Sequence, residues 1–108
     1  RLGTALGARS ETLMGLSGLG DLVLTATSMS SRNFALGHVL GQGTPLSAAS
    51  GEGKPLAEGA ATAPALVARA KRHAVELPIA EAGADVVEGA LDVKGAVDRL
   101  LSRPLRPE

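Results

Sequence analysis

The chain has almost no aromatic side chains with which to fill a core. Phe34 is its single aromatic residue, and tryptophan and tyrosine are absent from all 108 positions. A core must therefore be built from alanine, leucine, valine and isoleucine, which favours closely packed helices over a sheet rich in β-branched and aromatic residues. We predict an all-α fold in which the helices pack as a small bundle.

Capping residues and glycines divide the first half of the chain into short helices. The opening letters RLGTALG carry no helix-start signal, which is typical of a sequence that begins inside a longer protein. The glycines of GLSGLG, at residues 15–20, are predicted to end a first helical piece. Asp21 then occupies the start of the next helix, and Ser31 is predicted to cap a helix through RNFALGHVLG.

The second half contains one irregular segment followed by three helices. Segment 41–59 is rich in glycine and proline, so we expect it to be the most mobile part of the chain, although PLSAAS could form one turn of helix. Thr62 is predicted to cap a helix that Pro78 ends. Two further amphipathic helices follow, and the second begins near Asp92 and is closed by Pro104.

The charge balance and the cysteine content exclude several function classes. Eleven lysines and arginines balance eleven acidic residues, which argues against a nucleic acid or an anionic membrane as partner. With no cysteine and only two well-separated histidines, we expect no disulfide and no metal site. The chain shows neither a secretory signal nor an apolar run of the roughly 18–20 residues that a membrane span needs. We expect a cytoplasmic protein that holds any anion locally.

Segment 15–33, GLSGLGDLVLTATSMSSRN, carries the residues best suited to binding. Asp21 and Thr25 are four positions apart, so both project from one face of a helix. A polar run then leads to Arg32, whose guanidinium can hold a phosphate with two parallel hydrogen bonds, and to Asn33, which can donate to phosphate or to hydroxyl groups. Together with a helix N-terminus, these residues could bind a small polyhydroxy phosphate.

Two simpler interpretations of this segment remain open on local pattern alone. Its glycines could permit tight packing at a helix–helix corner, and Arg32 could be a solvated surface residue beside a capping serine. A dinucleotide-binding loop is disfavoured, because GLSGLGD does not match G-x-G-x-x-G and follows no strand pattern.

Segment 15–33, the following GHVLGQG and the later KPLAEG and ELPI resemble the C-terminal domain of NAD(P)-dependent glycerol-3-phosphate dehydrogenase. The family signature reads G-L-x-G-x-G-D-L-x-x-T, then S-R-N, then G-x-x-L-G-x-G, and the resemblance covers nearly the whole chain. It implies an all-helical domain of the 6-phosphogluconate dehydrogenase-like type, docked to an N-terminal Rossmann domain. Dihydroxyacetone phosphate would be reduced in the cleft between them to sn-glycerol 3-phosphate, a phospholipid precursor. Residues 1–108 would then be a partial C-terminal substrate-binding domain.

The resemblance also assigns roles to individual residues. The substrate-binding positions that it implies are Asp21, Thr25, Ser31, Arg32 and Asn33. Those that it implies for NAD or NADP are Arg32, Leu56 and Glu58. The family's catalytic lysine and its nucleotide-binding fold lie upstream of anything in this chain. We therefore expect the isolated chain to be inactive and to hold no cofactor.

The resemblance implies a small phosphate substrate and the protein's own Rossmann domain as partners. We also expect self-association through the surface around the first helix and GLSGLGDLVL. An alternative function is a helical dimerisation or interaction module of a related dehydrogenase. The S-R-N that follows G-L-G-D argues against that alternative, and the upstream sequence would decide between the two.

Overall fold

The computed structural model describes residues 1–50 and 57–104, and within these ranges it contains helices and connecting turns but no strand. The all-α prediction is therefore confirmed for the described part of the chain. The elements, in chain order, are α1 (Leu2–Ala5), α2 (Ser10–Leu13), a π-helical turn (Leu16–Gly20), α3 (Asp21–Ala26), α4 (Arg32–Gly41), α5 (Leu46–Ala49), α6 (Glu58–Arg72), α7 (Pro78–Val87) and α8 (Val93–Leu101).

The glycine segment does not end the first helical piece in the way the sequence predicts. Helix α2 already stops at Leu13, and the π-helical turn Leu16–Gly20 runs directly into α3. Gly20 has helical backbone angles, so Asp21 lies within a continuing helix and provides no cap. A methyl group at Gly18 would clash with the carbonyl of Leu13, so this glycine permits the close approach expected at a helix–helix corner.

Two helix starts are capped by the residues that the sequence indicates. The Ser31 hydroxyl oxygen accepts a hydrogen bond from the Phe34 N–H at 3.3 Å, and α4 begins at Arg32, directly after Ser31. The Asp92 carboxylate accepts from the Gly95 N–H at 2.7 Å at the start of α8. Each cap satisfies a backbone donor that has no partner within its own helix.

Helix α6 differs from its prediction at both ends. It begins at Glu58, four residues before the predicted cap Thr62, which lies inside the helix. It ends at Arg72 rather than at Pro78, because the chain turns through Ala74, whose φ is 53°. Pro78 instead occupies the first position of α7, where its missing N–H costs no hydrogen bond.

The irregular segment 41–59 is only partly described. The possible turn of helix in PLSAAS is confirmed as α5 (Leu46–Ala49). Residues 51–56 lie outside the described residues, so nothing here tests the mobility predicted for segment 41–59. That prediction stays a prediction.

The core was predicted to consist of alanine, leucine, valine and isoleucine, but in the described ranges alanine dominates it: five alanines and Leu2 are buried, and no valine or isoleucine is. Helix α6 packs mainly on α7, and α7 packs on α8. Four buried alanines belong to these helices, which are Ala70 in α6, Ala82 and Ala84 in α7, and Ala96 in α8, and Ala70 and Ala82 are each 1% exposed. Outside this layer, an ion pair of 2.6 Å joins Arg99 of α8 to Asp85 of α7. Small side chains thus allow three helices to pack closely.

The region from α2 to α3 leaves a large amount of apolar surface uncovered. Leu16 is 92% exposed and Met14 is 70% exposed, and the side chains of Leu22, Val23 and Leu24 are exposed as well. We call the surface formed by residues 13–24 the N-terminal apolar face. No helix in the described ranges is both long enough and apolar enough to cross a membrane.

Candidate functional site

A small polar cavity lies where the end of α3 and the starts of α4 and α6 meet. Its volume is about 230 Å³, below the roughly 300–1,000 Å³ of cavities that hold drug-sized ligands. The residues that line it are Thr25, Ser30, Ser31, Arg32, Asn33 and Glu58. The lining therefore combines hydroxyl, amide, guanidinium and carboxylate groups around a space suited to a small molecule.

The start of α4 supplies the donors of this cavity. The Ser31 oxygen is occupied as the cap of α4, so its hydroxyl proton remains available to donate. Arg32 and Asn33 are the first two residues of this ten-residue helix, where backbone N–H groups point outward and the helix dipole is positive. Within residues 1–50 and 57–104, no carboxylate pairs with Arg32. These features favour an anion.

Asn33 connects α4 to the start of α6. Its side-chain oxygen Oδ1 accepts a hydrogen bond from the Gly59 N–H at 2.9 Å, across 26 positions of sequence. Gly59 is the second residue of α6 and follows Glu58. The two helix starts that carry Arg32 and Glu58 are thereby held side by side.

Thr25 contributes an oxygen from α3. Its hydroxyl donates to the carbonyls of Asp21, at 2.9 Å, and of Leu22, at 3.2 Å, within its own helix. Because the hydroxyl proton is used in this way, the Thr25 oxygen presents lone pairs to the cavity and can accept a hydrogen bond from a ligand hydroxyl.

The structure brings together five of the seven site residues predicted from the sequence, which are Thr25, Ser31, Arg32, Asn33 and Glu58. Asp21 is exposed one turn before Thr25 and does not line the cavity. Leu56 lies outside the described residues. Asp21 and Thr25 were expected to reach the site together because they project from one face of a helix. Only the last turn of α3, which carries Thr25, reaches the cavity, so Asp21 lies outside it.

Two residues at this site were not predicted from the sequence. Ser30 lines the cavity, and its position in the polar run TSMSS was the available signal. Gly59 holds Asn33, but a single glycine next to Glu58 gave no sign of a contact so distant in sequence.

Arg32 also lines a second and larger cavity. This cavity has a volume of about 710 Å³ and is mostly apolar, with Met29, Leu36, Val39 and Ala57 in its wall. Arg32 thus stands between a small polar cavity and a larger apolar one. Such a position allows one guanidinium to contact two ligands. In the described part of the chain, no group of three or more histidine, cysteine or acidic side chains is placed to hold a metal ion.

Comparison with known sequences gives consistent matches over the whole chain. The family profile of the NAD-dependent glycerol-3-phosphate dehydrogenase C-terminus matches residues 1–98. The glycerol-3-phosphate dehydrogenase (NAD(P)+) of Rhodospirillum rubrum is 62% identical over 100% of the chain, and that of Parvibaculum lavamentivorans is 56% identical over 100%. The chain spans 31% and 32% of these two relatives, or about a third of their length.

A solved structure shows the same fold. The chain superimposes on a crystal structure of glycerol-3-phosphate dehydrogenase from Coxiella burnetii with a TM-score of 0.88 and 39% sequence identity. The match covers 95% of this chain and 32% of the Coxiella burnetii chain. The arrangement of helices described above is therefore that of one part of a larger dehydrogenase.

Proposed function

Because the chain belongs to the family of NAD-dependent glycerol-3-phosphate dehydrogenase C-terminal domains, we propose that it is the substrate-binding part of such an enzyme. The reaction proposed is the reduction of dihydroxyacetone phosphate by NADH or NADPH to sn-glycerol 3-phosphate. One observation carries the proposal: a small polar cavity gathers Arg32, Asn33, Ser31 and Thr25 at the N-terminus of α4.

Arg32 and Ser31 are proposed to hold the phosphate group of the substrate. A guanidinium with no carboxylate partner in the described ranges can form two charge-assisted hydrogen bonds to a phosphate. The Ser31 hydroxyl and the positive end of the α4 dipole favour the same anion. This donor set explains how a chain with no net charge can bind an anion locally.

Thr25 and Asn33 are proposed to bind the remaining polar groups of the substrate. The Thr25 oxygen is placed as an acceptor, which suits a substrate hydroxyl. The Asn33 amide supplies a donor to the same cavity. Asp21 is proposed to act from outside the described cavity, within a site that the rest of a longer protein completes.

The nucleotide is proposed to lie next to Arg32 and Glu58. The residues present fit such a group, because Arg32 has no carboxylate partner among residues 1–50 and 57–104 and its donors suit phosphates. Glu58 has an exposed carboxylate that can accept from hydroxyl or amide groups. A bound nicotinamide would supply the hydride that the reduction requires. Leu56, the third residue predicted to bind the cofactor, lies outside the described part of the chain, and its role stays a prediction.

Catalysis is proposed to depend on parts of a longer protein. The chain spans about a third of its relatives, and the resemblance places the proton-donating lysine and the Rossmann domain in the remainder. The isolated chain should therefore not turn over substrate and should not retain a cofactor. A cytoplasmic location stays a prediction.

We also propose that the isolated chain self-associates through the N-terminal apolar face. Leu16, Met14 and Leu24 are exposed together on this surface, and large exposed apolar patches mark interaction sites in proteins. The exposed apolar surface also favours the alternative function, a dimerisation module. A dimerisation module would not by itself explain the polar cavity.

A chimeric enzyme tests the proposed function. In it, this chain replaces the matching segment of the Rhodospirillum rubrum enzyme, to which it is 62% identical. We expect the chimera to oxidise NADH or NADPH in the presence of dihydroxyacetone phosphate, while the isolated chain does not. A folded chimera that binds nucleotide but shows no turnover, beside an active Rhodospirillum rubrum enzyme in the same assay, would contradict the proposal.

A further inference from the structure

We propose that Gly59 is a positioning residue that fixes the orientation of the Asn33 amide and so makes Asn33 a pure hydrogen-bond donor toward the substrate. The inference rests on the proposed function for the identity of the ligand. It rests on two observations for the geometry: the hydrogen bond from the Gly59 N–H to Asn33 Oδ1 at 2.9 Å, and the absence of room for a side chain at residue 59.

The hydrogen bond determines which end of the amide faces the ligand. A backbone N–H can only donate, so the Asn33 atom that contacts it must be the oxygen. Nδ2 is then the end of the amide that remains to bind a ligand, and it carries two N–H donors. Because Asn33 lines the polar cavity, its partner there must be an acceptor, such as a phosphate or hydroxyl oxygen.

Gly59 is required by the close approach of Asn33 and not by its backbone angles. Its φ is not in the left-handed region, and it lies inside α6, where alanine is the better helix former. A Cβ at this position would lie 2.8 Å from Asn33 Oδ1 and 3.1 Å from Asn33 Cγ. The atoms in the way belong to the end of a side chain, so the Asn33 amide would turn away while the backbone stayed in place.

This contact also joins the two proposed ligand sites. Gly59 follows Glu58 at the start of α6, and Asn33 follows Arg32 at the start of α4. The bond therefore sets the spacing between the proposed nucleotide carboxylate and the proposed phosphate arginine. It also caps an N–H in the first turn of α6, where the helix has no side-chain cap of its own.

The first test is Gly59→Ala in the chimeric enzyme, with Gly37→Ala as the matched control. Gly37 lies in α4, and a Cβ there would meet no described atom within 4 Å beyond its chain neighbours and the backbone of its own helix. For Gly59→Ala we expect the KM for dihydroxyacetone phosphate to rise roughly twofold to tenfold, as for the loss of a hydrogen bond between uncharged groups. The value of kcat should change much less. The melting temperature should change little, because the greater helix propensity of alanine offsets the lost cap on the residue-59 N–H, two effects of similar size. Gly37→Ala should leave all three values unchanged or raise the melting temperature.

Asn33→Asp separates the two ends of the amide. The carboxylate keeps an acceptor for the Gly59 N–H but has no donor for the substrate, so substrate binding should be lost while the melting temperature is retained. Substrate binding as tight as in the unsubstituted chimera would overturn the assignment of Nδ2 as the donor.

The outcomes distinguish this inference from the proposed function. An unsubstituted chimera without activity contradicts the proposed function alone. An active chimera in which Gly59→Ala has an unchanged KM, or loses activity only in proportion to lost stability, overturns the positioning role. Crystal structures of the unsubstituted chimera and of its Gly59→Ala variant test the geometry without an activity assay. Asn33 must contact the residue-59 N–H in the unsubstituted chimera and turn away from it in Gly59→Ala. A retained contact in Gly59→Ala overturns the inference.

Discussion

The alanine core makes α6 sensitive to any increase in side-chain volume. Ala70 is 1% exposed and lies in α6, which packs mainly on α7. Replacing it with leucine adds three carbon atoms where neighbouring atoms already surround the methyl group. Overpacking of this kind costs about 1–3 kcal/mol. For a domain slightly above 100 residues, each kcal/mol lowers the melting temperature by roughly 4 °C, so Ala70→Leu should melt about 4–12 °C lower.

Ala68→Leu is the matched control for this prediction. Ala68 lies in the same helix but is exposed, and alanine and leucine have similar helix propensities. The control should stay within about 0.5 kcal/mol of the unsubstituted chain. Thermal unfolding followed by far-UV circular dichroism measures both variants. If Ala70→Leu melted as high as Ala68→Leu, the packing of α6 would not depend on the small size of alanine, and the account of the core would be wrong.

Three further predictions concern local interactions. Ser31→Ala removes the cap of α4 and should destabilise the chain by about 1 kcal/mol in chemical denaturation, and an unchanged midpoint would contradict the cap. Asp85→Asn breaks the partly exposed pair with Arg99 and should cost under about 1 kcal/mol at low salt, a loss that 1 M salt should largely remove. Light scattering should show an average mass that rises with protein concentration, and the mass of Leu16→Asp should be lower than that of the unsubstituted chain at the same concentration. A strictly monomeric unsubstituted chain would refute self-association.

Helix starts that depend on nearby residues could be predicted from the sequence, and those that depend on distant contacts could not. Ser31 and Asp92 cap their helices through bonds three positions along the chain, so a short motif reveals them. The start of α6 was misplaced at Thr62 because its first turn is satisfied by Asn33, which is 26 positions from Gly59. Such a tertiary cap leaves no signal in the local sequence.

The same distinction applies to the candidate site. Ser31, Arg32 and Asn33 are consecutive in sequence, so the motif that identifies one of them identifies all three, and the structure places them in one cavity. Asp21 was expected there from helical spacing, but spacing alone does not say which turn of α3 reaches the cavity. Gly59 escaped notice because its role arises from the space that Asn33 occupies.

The central claim, that Arg32 holds the phosphate of the substrate, is tested most directly by Arg32→Lys in the chimeric enzyme. Lysine keeps the charge but loses the planar two-pronged contact, so kcat/KM for dihydroxyacetone phosphate should fall about tenfold to a thousandfold. Arg69→Lys, at an exposed position of α6 outside the cavity, should leave kcat/KM unchanged. Unchanged kinetics in Arg32→Lys, or an equal loss in both variants, would contradict the claim.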